Sequence, residues 1–159
     1  MRVTSRILTA AVAMAALAGS AQAQSYSAVL DGLQEVLPVV TTGTGTGTFT
    51  LDAAKMLTVH VEFSNLIGAV TVSHIHCCAP PGINAGALFF LIPPQPPSSP
   101  IDIVVGPLTP AQEADLNAGL MYVNVHTDFR PGGEIRGQIL RDTVGVESGT
   151  WSMVKQLFD

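Results

Sequence analysis

Between residues 56 and 64 apolar and polar side chains alternate, with Leu57, Val59, Val61 and Phe63 on one face and Thr58, His60 and Glu62 on the other. A period of two is that of a half-buried antiparallel strand. A turn over 52–55 joins it to a preceding strand that begins inside the Thr-Gly repeat of residues 41–48 and runs into Phe49, Thr50 and Leu51. Thr favours strands, and Gly fits where a second backbone comes close. Upstream, Tyr26, Ala28 and Leu30 share one face of a strand over 25–30. The segment 34–38 reads as irregular edge structure, because Pro38 cannot donate to a ladder.

Further strands are expected over 70–76, 87–92, 101–105, 121–127 and 134–140, with Val123 and Val125 facing inward. Val70 and Val72 have the same parity as His74 and His76, so a bulge or a change of face is expected near His74. Five prolines between 93 and 100 make that stretch an exposed turn or polyproline-like loop. One helix starts at Thr109 as cap and Pro110 as first helical residue, and ends near Gly119. Arg130-Pro131-Gly132-Gly133 is a turn, and 143–159 holds a possible short helix containing Trp151. Short strands at roughly ten-residue spacing with one short helix specify an all-β protein, an antiparallel β-sandwich or Greek-key barrel.

The first 23 residues stand apart. Arg2 and Arg6 precede an apolar run over 7–18, which ends in Ala21-Gln22-Ala23. This is the layout of a secretory signal peptide cleaved after Ala23, leaving Gln24 as the mature N-terminus. The run is too short to span a bilayer, which takes about 20 residues. The chain then divides into a leader (1–23), one domain (24–142) and a C-terminal extension (143–159). A secreted or periplasmic setting follows, and it permits disulfides.

The 159-residue chain has a formal net charge of −5, and the leader carries two arginines and no acid, so the remainder is more acidic still. That balance excludes a nucleic-acid binder of the usual basic kind. No Ser/His/Asp order stands out, and the Thr-Gly repeat lacks the helix and Lys of a phosphate loop. No catalytic residue is assigned.

The candidate chemistry lies in three histidines and two cysteines. His74 and His76, two apart on a strand, put both imidazoles on one face. His126 lies on another strand, on the face opposite Val123 and Val125. If the strands are neighbours, three imidazoles meet, a set suited to copper or zinc. Such binding is expected to weaken as pH falls through about 6.5, where free imidazole takes up a proton. His60, beside Glu62 on a polar face, is assigned to the surface. Glu134 is placed to accept the second ring proton of a nearby histidine, or to form a surface ion pair with Arg136, which has Asp128 or Glu35 as alternative partners. Cys77 and Cys78 allow a vicinal disulfide, thiolate ligation next to His76, or two free thiols; the oxidising compartment favours the disulfide.

The stretches LDGLQEVLPVVTTGTGTGTFTLD (30–52), SHIH (73–76), YVNVHT (122–127) and PGGEIRGQI (131–139) together resemble the CHRD domain, first described as repeats in chordin and also found alone in secreted bacterial proteins. The resemblance runs from about Tyr26 to Leu140. It implies an immunoglobulin-like or superoxide-dismutase-like Greek-key barrel in an exported setting, and no established enzymatic activity. It departs from the family pattern at Cys77-Cys78, where Gly and a small residue commonly follow the histidines, and in the long proline-rich loop. The implied function is a non-enzymatic module for protein recognition or self-association. The alternative is a periplasmic copper- or zinc-binding protein using His74, His76 and His126. A superoxide-dismutase-like redox enzyme would need more histidines for its two metals.

Overall fold

The computed structural model describes residues 23–91 and 98–143. The leader, the proline-rich segment and the expected C-terminal helix therefore lie outside the described residues or nearly so. The element order is β1 (Gln24–Asp31), a 3-10 turn (Gly32–Gln34), β2 (Thr44–Leu51), β3 (Leu57–Ser64), β4 (Val70–Cys77), β5 (Gly86–Phe90), β6 (Ile101–Val105), α1 (Pro110–Asn117), β7 (Met121–Thr127), β8 (Ile135–Gln138) and β9 (Leu140–Arg141). The strands form one sheet with the path β5-β4-β7-β8-β1-β2-β3-β6, and β9 also pairs with β1. Every described pairing is antiparallel. The sheet curls into a nearly closed barrel, so the all-β antiparallel class with one short helix holds.

The alternation sets which side is buried. Tyr26 and Leu30 from β1, Phe49 from β2, Val59 and Val61 from β3, and Val123 and Val125 from β7 fill the interior. Each apolar side chain of this size contributes about 1.5–3 kcal/mol by leaving water. The Tyr26 hydroxyl is not stranded there, since it bonds to Asn117 Oδ1 at 2.9 Å and Gln24 Oε1 at 2.8 Å. The Thr-Gly repeat is a strand because its glycines let neighbours close in. A Cβ at Gly45 would stand 2.7 Å from the Glu62 carbonyl oxygen.

The helix begins as its sequence specifies. Thr109 accepts from the Gln112 amide, and the Gln112 side chain accepts from the Thr109 amide, a reciprocal cap. Leu116 buries its face and Gly119, at φ +68°, ends it. Among the described residues no helix is long and apolar enough to cross a membrane.

Two features position the candidate site. In β4 the register with β7 shifts between Val70 and Val72. Val70 leans on the core before the shift, Ile75 and Cys77 after it, and His74 and His76 are left facing outward. The expected change of face thus falls just before the histidines. In β7 every residue is buried, on both faces. Met121, Val123 and Val125 meet the core, while Tyr122, Asn124 and His126 lie under loops that cover the outside of the sheet. The strand expected over 134–140 is divided into β8 and β9, because the chain leaves β7 after Ile139 and continues against β1.

Candidate metal centre

β4 and β7 are hydrogen-bonded neighbours, with His74 opposite Asn124 and Val72 opposite His126. That register brings His74, His76 and His126 together, one ligand nitrogen from each lying within 4.8 Å of the others. His74 Nδ1 and His126 Nε2 are 3.1 Å apart. Two imidazoles on one metal at bond lengths near 2.0–2.1 Å hold their nitrogens about 2.9–3.4 Å apart, so this separation already suits a shared ion.

The other ring nitrogens are tied back to the chain. His76 Nδ1 meets the Ala85 carbonyl oxygen at 3.0 Å, and His126 Nδ1 meets that of Pro131 at 2.9 Å. A carbonyl can only accept, so each Nδ1 donates and the lone pair is left on Nε2. Metal-bound histidines are oriented this way. Among the described residues, both His76 Nε2 and His74 Nε2 are buried without a hydrogen-bond partner. A buried polar atom with no partner is costly and rare. An ion bound by the Nε2 atoms of His76 and His74 would give both their partner; bound by His74 Nδ1 instead, it would do so for His76 Nε2 alone.

Electrostatics keep the rings neutral. Burial, reinforced by His126 and His76, pushes His74 down to about 4. Burial also lowers His76 and His126, against carbonyl hydrogen bonds that pull the other way. Around the cluster Phe90 stands edge-on to His74 at 4.5 Å, and Tyr122 stacks on His76 at 4.7 Å. The loop over His126 turns at Gly133, where φ is +127° and a Cβ would strike Asn124 Nδ2.

The other sequence assignments fare differently. His60 lies on the outer face of β3, 2.6 Å from Asp102, and is not one of the clustered histidines. The role given to Glu134 is corrected. Its carboxylate accepts from the Thr41 and Thr127 hydroxyls and from the Ile67 and Gly68 amides, and from no histidine. Burial alone would raise its pKa, but these four bonds outweigh burial and hold it below the ordinary value. Glu134 fastens two loops to the end of β7. Arg136 is no surface partner either. It is 1% exposed, donates to Asn84 Oδ1 and the Ile83 carbonyl, and packs 3.4 Å over the Tyr122 ring. Cys77 and Cys78 sit with their sulfurs side by side, turned toward Asp115 and not toward His76. Thiolate ligation alongside His76 is therefore set aside.

Three residues of the surroundings, Tyr122, Asn124 and Asp115, were given no role in the sequence, and Glu35 was named only as a possible partner of Arg136. Tyr122 shares its parity on β7 with His126, which could have marked it. Asn124, buried between His74 and Glu35, carries the same signal. Glu35 and Asp115 carry no local sign of their positions, which arise from contacts distant in the chain.

The model of a family described as the CHRD domain matches residues 26–139, a span from β1 to the end of β8 that contains all three histidines. No curated protein and no solved structure matches the chain.

Proposed function

The chain belongs to the CHRD domain family, and we propose that it is an exported β-barrel module whose histidine cluster binds one copper or zinc ion. The observation that carries this reading is the pair of buried, unpartnered Nε2 atoms of His74 and His76 beside His126. His76 and His126 would bind through Nε2, and His74 through whichever ring nitrogen it turns inward. The ion would supply Lewis acidity and, for copper, one-electron chemistry. Copper(II) is expected to bind more tightly than zinc(II), following the general order for nitrogen ligands.

Calorimetry on metal-free protein at neutral pH tests it. One ion per chain is expected, with tight binding abolished by His74→Ala or His126→Ala and kept in His60→Ala. Absence of stoichiometric binding, or equal damage from His60→Ala, overturns the reading. Export is supported by the leader's layout and predicts an exported protein that begins at Gln24.

A second reading, protein recognition or self-association, is favoured by one observation. Leu33, Leu37 and Val40, near the segment 34–38, are 75%, 85% and 86% exposed. Clustered apolar exposure marks interaction surfaces. Sedimentation of the wild type and of Leu37→Asp tests it, with a loss of self-association expected in the variant.

A further inference from the structure

The cysteine pair faces a charge. Cys77 closes β4, and its neighbour Cys78 opens the loop that follows. Asp115 comes from α1, 37 positions further on, and its Oδ2 lies 3.0 Å from Cys78 Sγ and 3.9 Å from Cys77 Sγ. We propose that the two thiols and the Asp115 carboxylate form a second cation site, distinct from the histidine cluster. It takes a soft, thiophilic ion when the pair is reduced and is closed when the pair is oxidised to a vicinal disulfide.

The argument is one of complementarity. A disulfide turns only lone pairs toward a carboxylate. Two thiols offer S–H donors, and two thiolates with a cation between them offer the carboxylate a positive partner. Ligand atoms of the three residues lie within 4.8 Å of one another with the two sulfurs paired, so the carboxylate already stands beside the closed pair and reduction would open the site. Two sulfurs select soft ions such as copper(I), zinc or cadmium, and one carboxylate oxygen completes a three-ligand set.

Both halves of the site are held in place. The helix bearing Asp115 is capped at Thr109 and anchored by buried Leu116. The chain after Cys78 is tied down by the Ala79 amide to the Leu120 carbonyl at 2.9 Å, and by Gln138 Nε2 to the Ala79 carbonyl at 2.9 Å. Cys78 is exposed, which gives an ion access. The two sites do not share a face, since Cys77 leans on the core and the His76 ring turns out to Ala85 and Tyr122.

The chemistry balances. On binding a divalent ion, the two thiols release two protons and form two metal–sulfur bonds. On closing against oxidised glutathione, one protein disulfide forms, the glutathione disulfide breaks, and two glutathione thiols leave.

Cadmium titration of the full chain separates this site from the first. The background is His74→Ala with His126→Ala, in which the histidine cluster is gone, so the result does not depend on the reading above. In the reduced protein one cadmium per chain is expected, with the ultraviolet band of cadmium–thiolate bonds. Pretreatment with oxidised glutathione abolishes the band, and so does Cys78→Ser, a change at an exposed position. Asp115→Asn should keep the band and weaken binding by about tenfold or more, since even partners outside the ligand set cost that much. No band in the reduced protein overturns the site. Unchanged affinity in Asp115→Asn removes the carboxylate from it. A band in otherwise wild-type protein that vanishes in the histidine background would assign the thiolates to the histidine cluster.

Discussion

The Tyr122 ring lies parallel to the His76 imidazole, with 4.7 Å between centroids and 4° between planes. From the strand on the other side Arg136 packs over the same tyrosine ring at 3.4 Å. The Tyr122 hydroxyl also accepts from the Ala85 amide at 3.0 Å, and the Ala85 carbonyl receives His76 Nδ1. One tyrosine thus fixes both the plane of His76 and the carbonyl that sets its tautomer.

Replacing that tyrosine should loosen the ion without touching a ligand. Tyr122→Leu removes the stack and the hydroxyl together, and copper(II) affinity is expected to fall about 10- to 100-fold, the usual cost of losing an orienting partner. Tyr122→Phe keeps the stack and loses the hydrogen bond, which should lower stability by about 1 kcal/mol and affinity by less than Tyr122→Leu. Calorimetry and urea unfolding on both variants check the order.

Acid should act later than free histidine suggests. Burial lowers all three imidazoles, His74 to about 4 from an ordinary value of 6.5. The unfolded chain takes up protons near 6.5 while the folded cluster stays neutral. Stability from these groups is therefore complete above about 6.5 and is lost as pH falls below it, for His74 until about 4. The same neutrality keeps the rings available to a metal, so the binding midpoint should lie below the value of about 6.5 expected from the sequence. A binding midpoint at 6.5 would contradict the buried geometry.

A core and a surface substitution on one strand should part sharply. Val61 is fully buried opposite Gly47 and Ile101, whereas His60, next along β3, meets Asp102 outside. Val61→Asp puts an unpaired charge in the interior and should cost about 4 kcal/mol or more. His60→Ala gives up an exposed, solvent-screened pair and should leave the urea midpoint almost unchanged. Urea midpoints of the two variants measure the gap.

That contrast also marks what the sequence made legible. Alternation from Leu57 to Phe63 placed the strand, its buried face and the exposed His60. Thr109 and Pro110 placed the helix. The spacing of His74 and His76, with His126 on a strand of matching outward parity, located the cluster. The rest depended on which loops fold over the sheet. Glu134 looked like a histidine's partner from its place beside Arg136, but its carboxylate is claimed by Thr41 and Ile67, 93 and 67 positions away. Arg136 looked like a surface charge because a strand's outer face is ordinarily wet, and here Ile83 and Asn84 cover it. Asp115 reaches the cysteines only because α1 packs at the end of β4. Such contacts follow from loop paths, which leave no periodic mark in the sequence.

Glu35 provides the last test, because its burial puts a carboxyl beside the cluster's support. It is 7% exposed and accepts from Asn124 Nδ2 at 2.9 Å. Burial raises its pKa from the ordinary 4.5 to about 7, although Arg136 and the Asn124 hydrogen bond pull it down. The unfolded chain loses this proton near 4.5 and the folded protein keeps it until about 7. Folding is thus weakened progressively as pH rises from 4.5 to 7, and the full penalty stands above 7. Glu35→Gln retains an oxygen to accept from Asn124 and carries no charge at any pH. Its urea midpoint should exceed that of the wild type at pH 8, and the difference should close by about pH 5, where the wild-type carboxyl is itself mostly neutral. A variant that is less stable at pH 8 would mean that attraction to Arg136 outweighs the cost of burying the charge.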